Sequence, residues 1–162
     1  MDKKDFLRLC TDVFRESGFH RKGGNYYLDY NEELLVVFSF LKSSYGAYFY
    51  VEYGLVFKSI NRFLPHPKYN QIDINFGRIM TCCGKAIEYE VMTEIEFNEL
   101  SNTIKEYVAN IISIVEKGKE EIIRQCIHVS PPIVSYVLKG TPEFLGVSTD
   151  LFRGNGIAVV DY

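Results

Sequence analysis

The segment GFHRKGGNYYLDY, Gly18 to Tyr30, sets a glycine pair between two stretches rich in aromatic and basic side chains. A two-residue reversal between antiparallel strands needs positive φ, which glycine adopts without steric cost. With Gly23-Gly24 as that reversal, Lys22 pairs with Asn25, Arg21 with Tyr26, His20 with Tyr27 and Phe19 with Leu28. Side-chain alternation then puts Phe19, Arg21, Tyr26 and Leu28 on one face and His20, Lys22, Asn25 and Tyr27 on the other. A phosphate-cradling loop would lead from a strand into a helix. Here the glycines lead into a second strand, so they read as a hairpin and not as a ligand loop.

Around this hairpin the hydrophobic pattern changes period three times. Phe6, Leu9, Cys10, Val13 and Phe14 recur at helical intervals over residues 2 to about 17, with Gly18 placed to end that helix. Val36 to Leu41 and Tyr48 to Phe57 alternate as strands and flank the turn-forming KSSYG, which predicts an adjacent antiparallel pair. NRFLPHPKYNQ, Asn61 to Gln71, interrupts the pattern as a loop. Ile72, Ile74 and Phe76, and then Ile87, Tyr89 and Val91, suggest two shorter strands. Thr93 to Glu96 has the form of a capping box, and Phe97, Leu100, Ile104, Val108, Ile111, Ile112 and Val115 keep the helical period up to Gly118. A third helix is predicted from Lys119 to about Ile127. A fourth is predicted from Ser130-Pro131-Pro132 through Leu138, with another helix start at Thr141-Pro142 and a final strand-like IAVV.

The expected fold is therefore α+β: an antiparallel sheet of four or five strands with the N-terminal helix and a long helix, about 94–117, packed on it. Residues 1–162 read as one domain, with a core unit over 1–117 and a mostly helical extension over 118–162. At this length a chain buries roughly 68–70% of its unfolded surface, enough for a core without staples.

Composition narrows the function. Twelve Phe and twelve Tyr without a single Trp fit half-buried sheet surfaces. A formal charge of −3 offers no general field for a polyanion, and the best basic group, His20-Arg21-Lys22, has acidic neighbours at Asp12, Glu16 and Asp29. Nucleic acid is not the expected partner. The longest apolar runs fall short of the roughly 20 residues of a bilayer span, and MDKKDFLRLC lacks the pattern of a secretory signal. A cytoplasmic protein with no membrane association is expected, its four cysteines (Cys10, Cys82, Cys83, Cys126) as free thiols.

The three histidines and four cysteines lack metal-ligand spacing, so neither metal nor cofactor is expected. Cys82 or Cys83 with His66 or His128 is the arrangement to look for if the chain uses a cysteine nucleophile, against the commoner role of cysteine as a small buried hydrophobe. The carboxylates of the long helix read as a solvated face. Tyr48, Tyr50 and Glu52 share one strand face. With Tyr27, Glu88 and Glu90 they form the candidate interaction surface, provided that helices cover only the opposite side of the sheet.

The motif Gly18-Phe19-His20-Arg21-Lys22-Gly23-Gly24-Asn25-Tyr26-Tyr27, followed by VVFSFLKSS and YFYVEYGLVF, resembles a bacterial family classed as a domain of unknown function. Its members combine an N-terminal helix with a G-F-x-(K/R)-(K/R)-G-x-x-(F/Y)-(Y/F) hairpin. The resemblance spans roughly residues 5 to 115. The tryptophan-containing segment that the family often carries before the long helix is replaced here by CCGKAIEYEV. The family defines no catalytic residues, so none is carried over. The expected function is non-catalytic binding of a protein partner, in the manner of an immunity protein that neutralises a basic toxin. The alternatives are an enzyme using a cysteine nucleophile and a small-molecule-binding module.

Overall fold

The computed structural model describes residues 1–79, 87–127 and 134–161. Helix α1 (Lys3–Glu16) starts at Asp2, whose carboxylate accepts the Asp5 amide at 2.8 Å. It buries Phe6, Cys10, Val13 and Phe14 on one face, while Leu9 is only partly covered. The hairpin of β1 (His20–Lys22) and β2 (Asn25–Asp29) has the expected register, His20 to Tyr27, Arg21 to Tyr26 and Lys22 to Asn25. Gly23 has a φ of 62°, the first central position of a type II′ turn. Gly24 is crowded, since a Cβ there would lie 3.1 Å from the Phe40 carbonyl oxygen.

Strands β3 (Leu34–Lys42) and β4 (Tyr48–Phe57) pair along their whole length, from Leu34 with Phe57 to Lys42 with Phe49. On the far side of β4, β5 (Ile74–Ile79) pairs with Val51 to Leu55, and β6 (Ile87–Glu88) with Tyr48 and Phe49. The register of β4 against β5 shifts between Glu52 and Gly54. Gly54 is required there, because a Cβ would collide with the carbonyl oxygen of Ile74. Helix α2 (Glu94–Glu116) opens with both halves of the Thr93–Glu96 capping box. It buries Ile114 in addition to the expected residues and leaves Ile112 partly exposed. Then follow α3 (Lys119–Ile127), β7 (Tyr136–Leu138), α4 (Thr141–Leu145), α5 (Thr149–Gly154) and β8 (Ala158–Val160).

Among the described residues one sheet of eight strands runs in the order β1-β2-β3-β4-β5-β7-β8, with β6 beside β4. All pairs are antiparallel except β7 with β8. Eight strands exceed the expected four or five because several are two or three residues long, too short for alternation to stand out in a sequence. The helix expected through Leu138 is a correction of kind: Tyr136–Leu138 is strand, inserted between β5 and β8. Tyr136 and Val137 pair with Asn75 and Ile74. That partnership, over sixty residues away in sequence, overrides the local proline signal at 130–132, which lies outside the described residues.

The buried aliphatic, aromatic and cysteine side chains of the helices belong to a single cluster on one side of the sheet. There Phe6, Phe14, Phe38, Phe40 and Phe49 pack ring on ring with Tyr26 and Tyr89. The other side carries a smaller cluster of Tyr27, Leu35, Val37, Val56 and Ile72, under the loop over residues 58–73. β3 therefore has buried residues on both faces, although the sheet around it is mostly antiparallel.

Candidate functional site

The loop over 58–73 decides which tyrosines can meet a partner. Tyr27 is 1% exposed, its hydroxyl donating to the Pro67 carbonyl at 3.1 Å, and its ring forms a three-ring cluster with those of His20 and His66, at 5.6 and 5.3 Å. As a contact residue Tyr27 is thus corrected to a buried one, because the loop folds over its half of the face. Tyr48, Tyr50 and Glu52 lie on the uncovered half and are partly exposed. Glu52 accepts from Arg78 Nη2 at 2.7 Å and from Asn75 Nδ2 at 3.2 Å, and the Arg78 guanidinium stands 4.5 Å above the Tyr50 ring. Its charge is taken up by this internal network, so Glu52 holds Arg78 over Tyr50 and does not offer a bare carboxylate.

Glu88 and Glu90 belong to the end of the molecule beside β6. Glu88 stands across from Tyr48. The Tyr89 amide donates to the Ala47 carbonyl at 3.2 Å, which ties the chain after β6 to the loop joining β3 to β4. Tyr45 projects from that loop and is 94% exposed; Val91 and Ile95, on the tied segment and the first turn of α2, are 67% and 73% exposed. These are the three most exposed large apolar side chains among the described residues. Glu88, Glu90 and Glu94 lie among them in sequence, with Lys42 at the root of the loop. Val91, expected in strand register with Ile87 and Tyr89, is released to solvent because β6 stops at Glu88. Tyr45 escapes a reading by periodicity, since a turn has none.

A second feature lies at the opposite end of β4. Asp73, 2% exposed, places Oδ2 2.7 Å from the Phe57 amide and 3.1 Å from Asn61 Nδ2. Burial pushes its carboxyl up from 3.8 to about 6, against the opposing pull of those two donors. The Asp73 backbone carbonyl accepts from Leu138 and Thr141, which fixes the residue to β7 and α4. It lines a cleft of about 350 Å³ between the loop over 58–73 and the segment 138–144. Nothing in the sequence marks Asp73 among the other acids, because its isolation arises only when β5 and β7 pair.

The two described thiols, Cys10 and Cys126, are free and buried. Burial raises both, Cys126 to about 12, so neither supplies a thiolate near neutral pH. Cys82, Cys83 and His128 lie outside the described residues. Among the described residues no group of three or more His, Cys, Asp or Glu could hold a metal ion, and no helix is long and apolar enough to cross a membrane.

An α+β sheet clad by helices on one face, with a self-braced loop over half of the other, defines the class. The chain belongs to the domain of unknown function DUF4304, whose family model matches residues 10–127. The match begins within α1 and continues through α3, twelve residues beyond the stretch that the hairpin motif suggested. No curated protein and no solved structure shows significant similarity to the chain.

Proposed function

We propose that the protein is a non-catalytic binding protein whose contact surface is the end formed by the β3–β4 loop, β6 and the start of α2. One observation carries this: the three most exposed apolar side chains, Tyr45, Val91 and Ile95, gather at an end that also bears Glu88, Glu90 and Glu94. Exposed aromatic and aliphatic anchors with a charged surround are the makeup of a protein interface. The acidic surround suits a basic partner, which it would also steer on approach. Tyr48, Tyr50 and the Glu52–Arg78 pair extend the surface along β4 as a rigid shelf.

The partner that fits is a basic protein toxin, neutralised by occlusion, encoded next to this chain. The reading is tested by titrating the product of the adjacent gene into the purified protein and by co-expressing the two. A complex is expected, weakened at least tenfold by Tyr45→Ala and made less salt-sensitive by Glu88→Lys with Glu90→Lys. Absence of both a complex and any rescue from toxicity would overturn it.

A further inference from the structure

The Asp73 carboxylate has two oxygens and unequal company. Oδ2 takes both hydrogen bonds, from the Phe57 amide and from Asn61, while Oδ1 accepts none among the described residues. Ser39 Oγ is the buried side-chain polar atom left without a partner among the described residues, so Asp73 Oδ1 is not enclosed and can take a donor that enters from outside. The residue lines a cleft of about 350 Å³, at the small end of the range for ligand pockets. Ile60, Phe63, Phe144 and Val160 give the cleft its apolar wall.

The pairing of the charged groups around the cleft bears on the sign of its occupant. Besides Asp73 they are Glu143, Asp161, Arg62 and Lys139 in the lining and Lys119 beside Phe144, so that with Asp73 three carboxylates face three cations. Lys139 Nζ is paired with Asp161 at 3.0 Å, the Arg62 guanidinium lies 5.1 Å over the Phe63 ring, and Lys119 Nζ donates to the Phe144 carbonyl at 2.8 Å, so none of them is paired with Asp73. His66, in the same loop, packs instead on Tyr27. A cationic donor is favoured over a neutral one, because charge-assisted hydrogen bonds are about twice as strong. A single free oxygen suits one ammonium better than the two-pronged fork of a guanidinium.

We propose that this cleft binds a small primary amine, its ammonium donating to Asp73 Oδ1 and its apolar body lying against Phe63 and Phe144. The site is separate from the acidic end described above and stands or falls independently of it.

The test uses the full chain and three probes, benzylamine, phenethylamine and tryptamine, with benzyl alcohol as the uncharged control, followed by amide chemical shifts. At least one amine is expected to shift the amides of Asn61, Asp73 and residues 138–144, with benzyl alcohol at least tenfold weaker. Asp73→Asn, which keeps an acceptor for the Phe57 amide, is expected to weaken the amine at least tenfold while retaining a dispersed spectrum. The unaltered protein supplies a second readout should that variant not fold: amine affinity falls about tenfold between pH 7 and pH 5, as Asp73 takes up a proton. Equal binding of amine and alcohol, affinity flat with pH, shifts confined to other regions, or no response to any of the three amines would each overturn the proposal.

Discussion

The ring of Tyr26 stacks on that of Phe14 with centroids 4.3 Å apart and planes 18° from parallel, joining the hairpin to α1. The Tyr26 hydroxyl also meets Thr11 Oγ1 at 3.0 Å. Removing the ring and removing the hydroxyl should separate in cost. Phe14→Ala is expected to destabilise by roughly 3–5 kcal/mol, the range for an aromatic deleted from a core. Tyr26→Phe is expected to cost about 1 kcal/mol. Urea denaturation measures both, and equal losses would mean that stacking does not hold the hairpin down.

Gly54 should tolerate no side chain. In Gly54→Ala the methyl group would collide with the Ile74 carbonyl, and β4 cannot yield without breaking its ladder with β3. A loss above roughly 2 kcal/mol is expected, well beyond a usual surface change. Wild-type stability in this variant would show that the β4–β5 register differs from the one described.

The long helix offers a milder test at its start. Thr93 Oγ1 accepts the Glu96 amide at 3.2 Å, and Glu96 Oε2 accepts the Thr93 amide at 2.8 Å. Thr93→Ala should cost about 1 kcal/mol, and helical content at room temperature should be unchanged. Loss of the helix signal would mean that α2 depends on its cap more than on its packing.

These sites differ in how far the sequence announces them. Gly23-Gly24 and Thr93–Glu96 act through neighbours within four positions, so hairpin register and helix start are both readable from residue type. Tyr136–Leu138 is not readable that way. Its strand exists because Ile74 and Asn75 present a free edge, a fact about distant chain that no local propensity encodes. The candidate surface divides likewise. Tyr48, Tyr50 and Glu52 follow from alternation along β4, whereas the burial of Tyr27 depends on where the loop carrying His66 and Pro67 comes to rest. Tyr45 and Asp73 could be found only from exposure and burial, which periodicity does not report at a turn tip or a strand entry.

Asp73 should leave a signature in the pH dependence of stability. Its carboxyl titrates near 6 in the folded protein against an ordinary value of 3.8. Its stabilising contribution is therefore complete below about pH 4, where both states are protonated. It declines as pH rises, because the unfolded chain releases the proton first, and is lost above about pH 6. Relative to Asp73→Asn, wild type should lose roughly 2–3 kcal/mol between pH 4 and pH 7, since each tenfold difference in proton affinity between the folded and unfolded chain is worth about 1.4 kcal/mol. Parallel stability curves for the two proteins would place the carboxyl in water.

If the acidic, apolar end is where another protein docks, amide hydrogen exchange of the chain, alone and with the product of the adjacent gene, reads that surface directly. Exchange is predicted to slow over residues 43–50 and 87–95 and to stay unchanged over α3 and β8. Protection confined to the loop over 58–73, or to the outward side of α2 beyond its first turn, would contradict it.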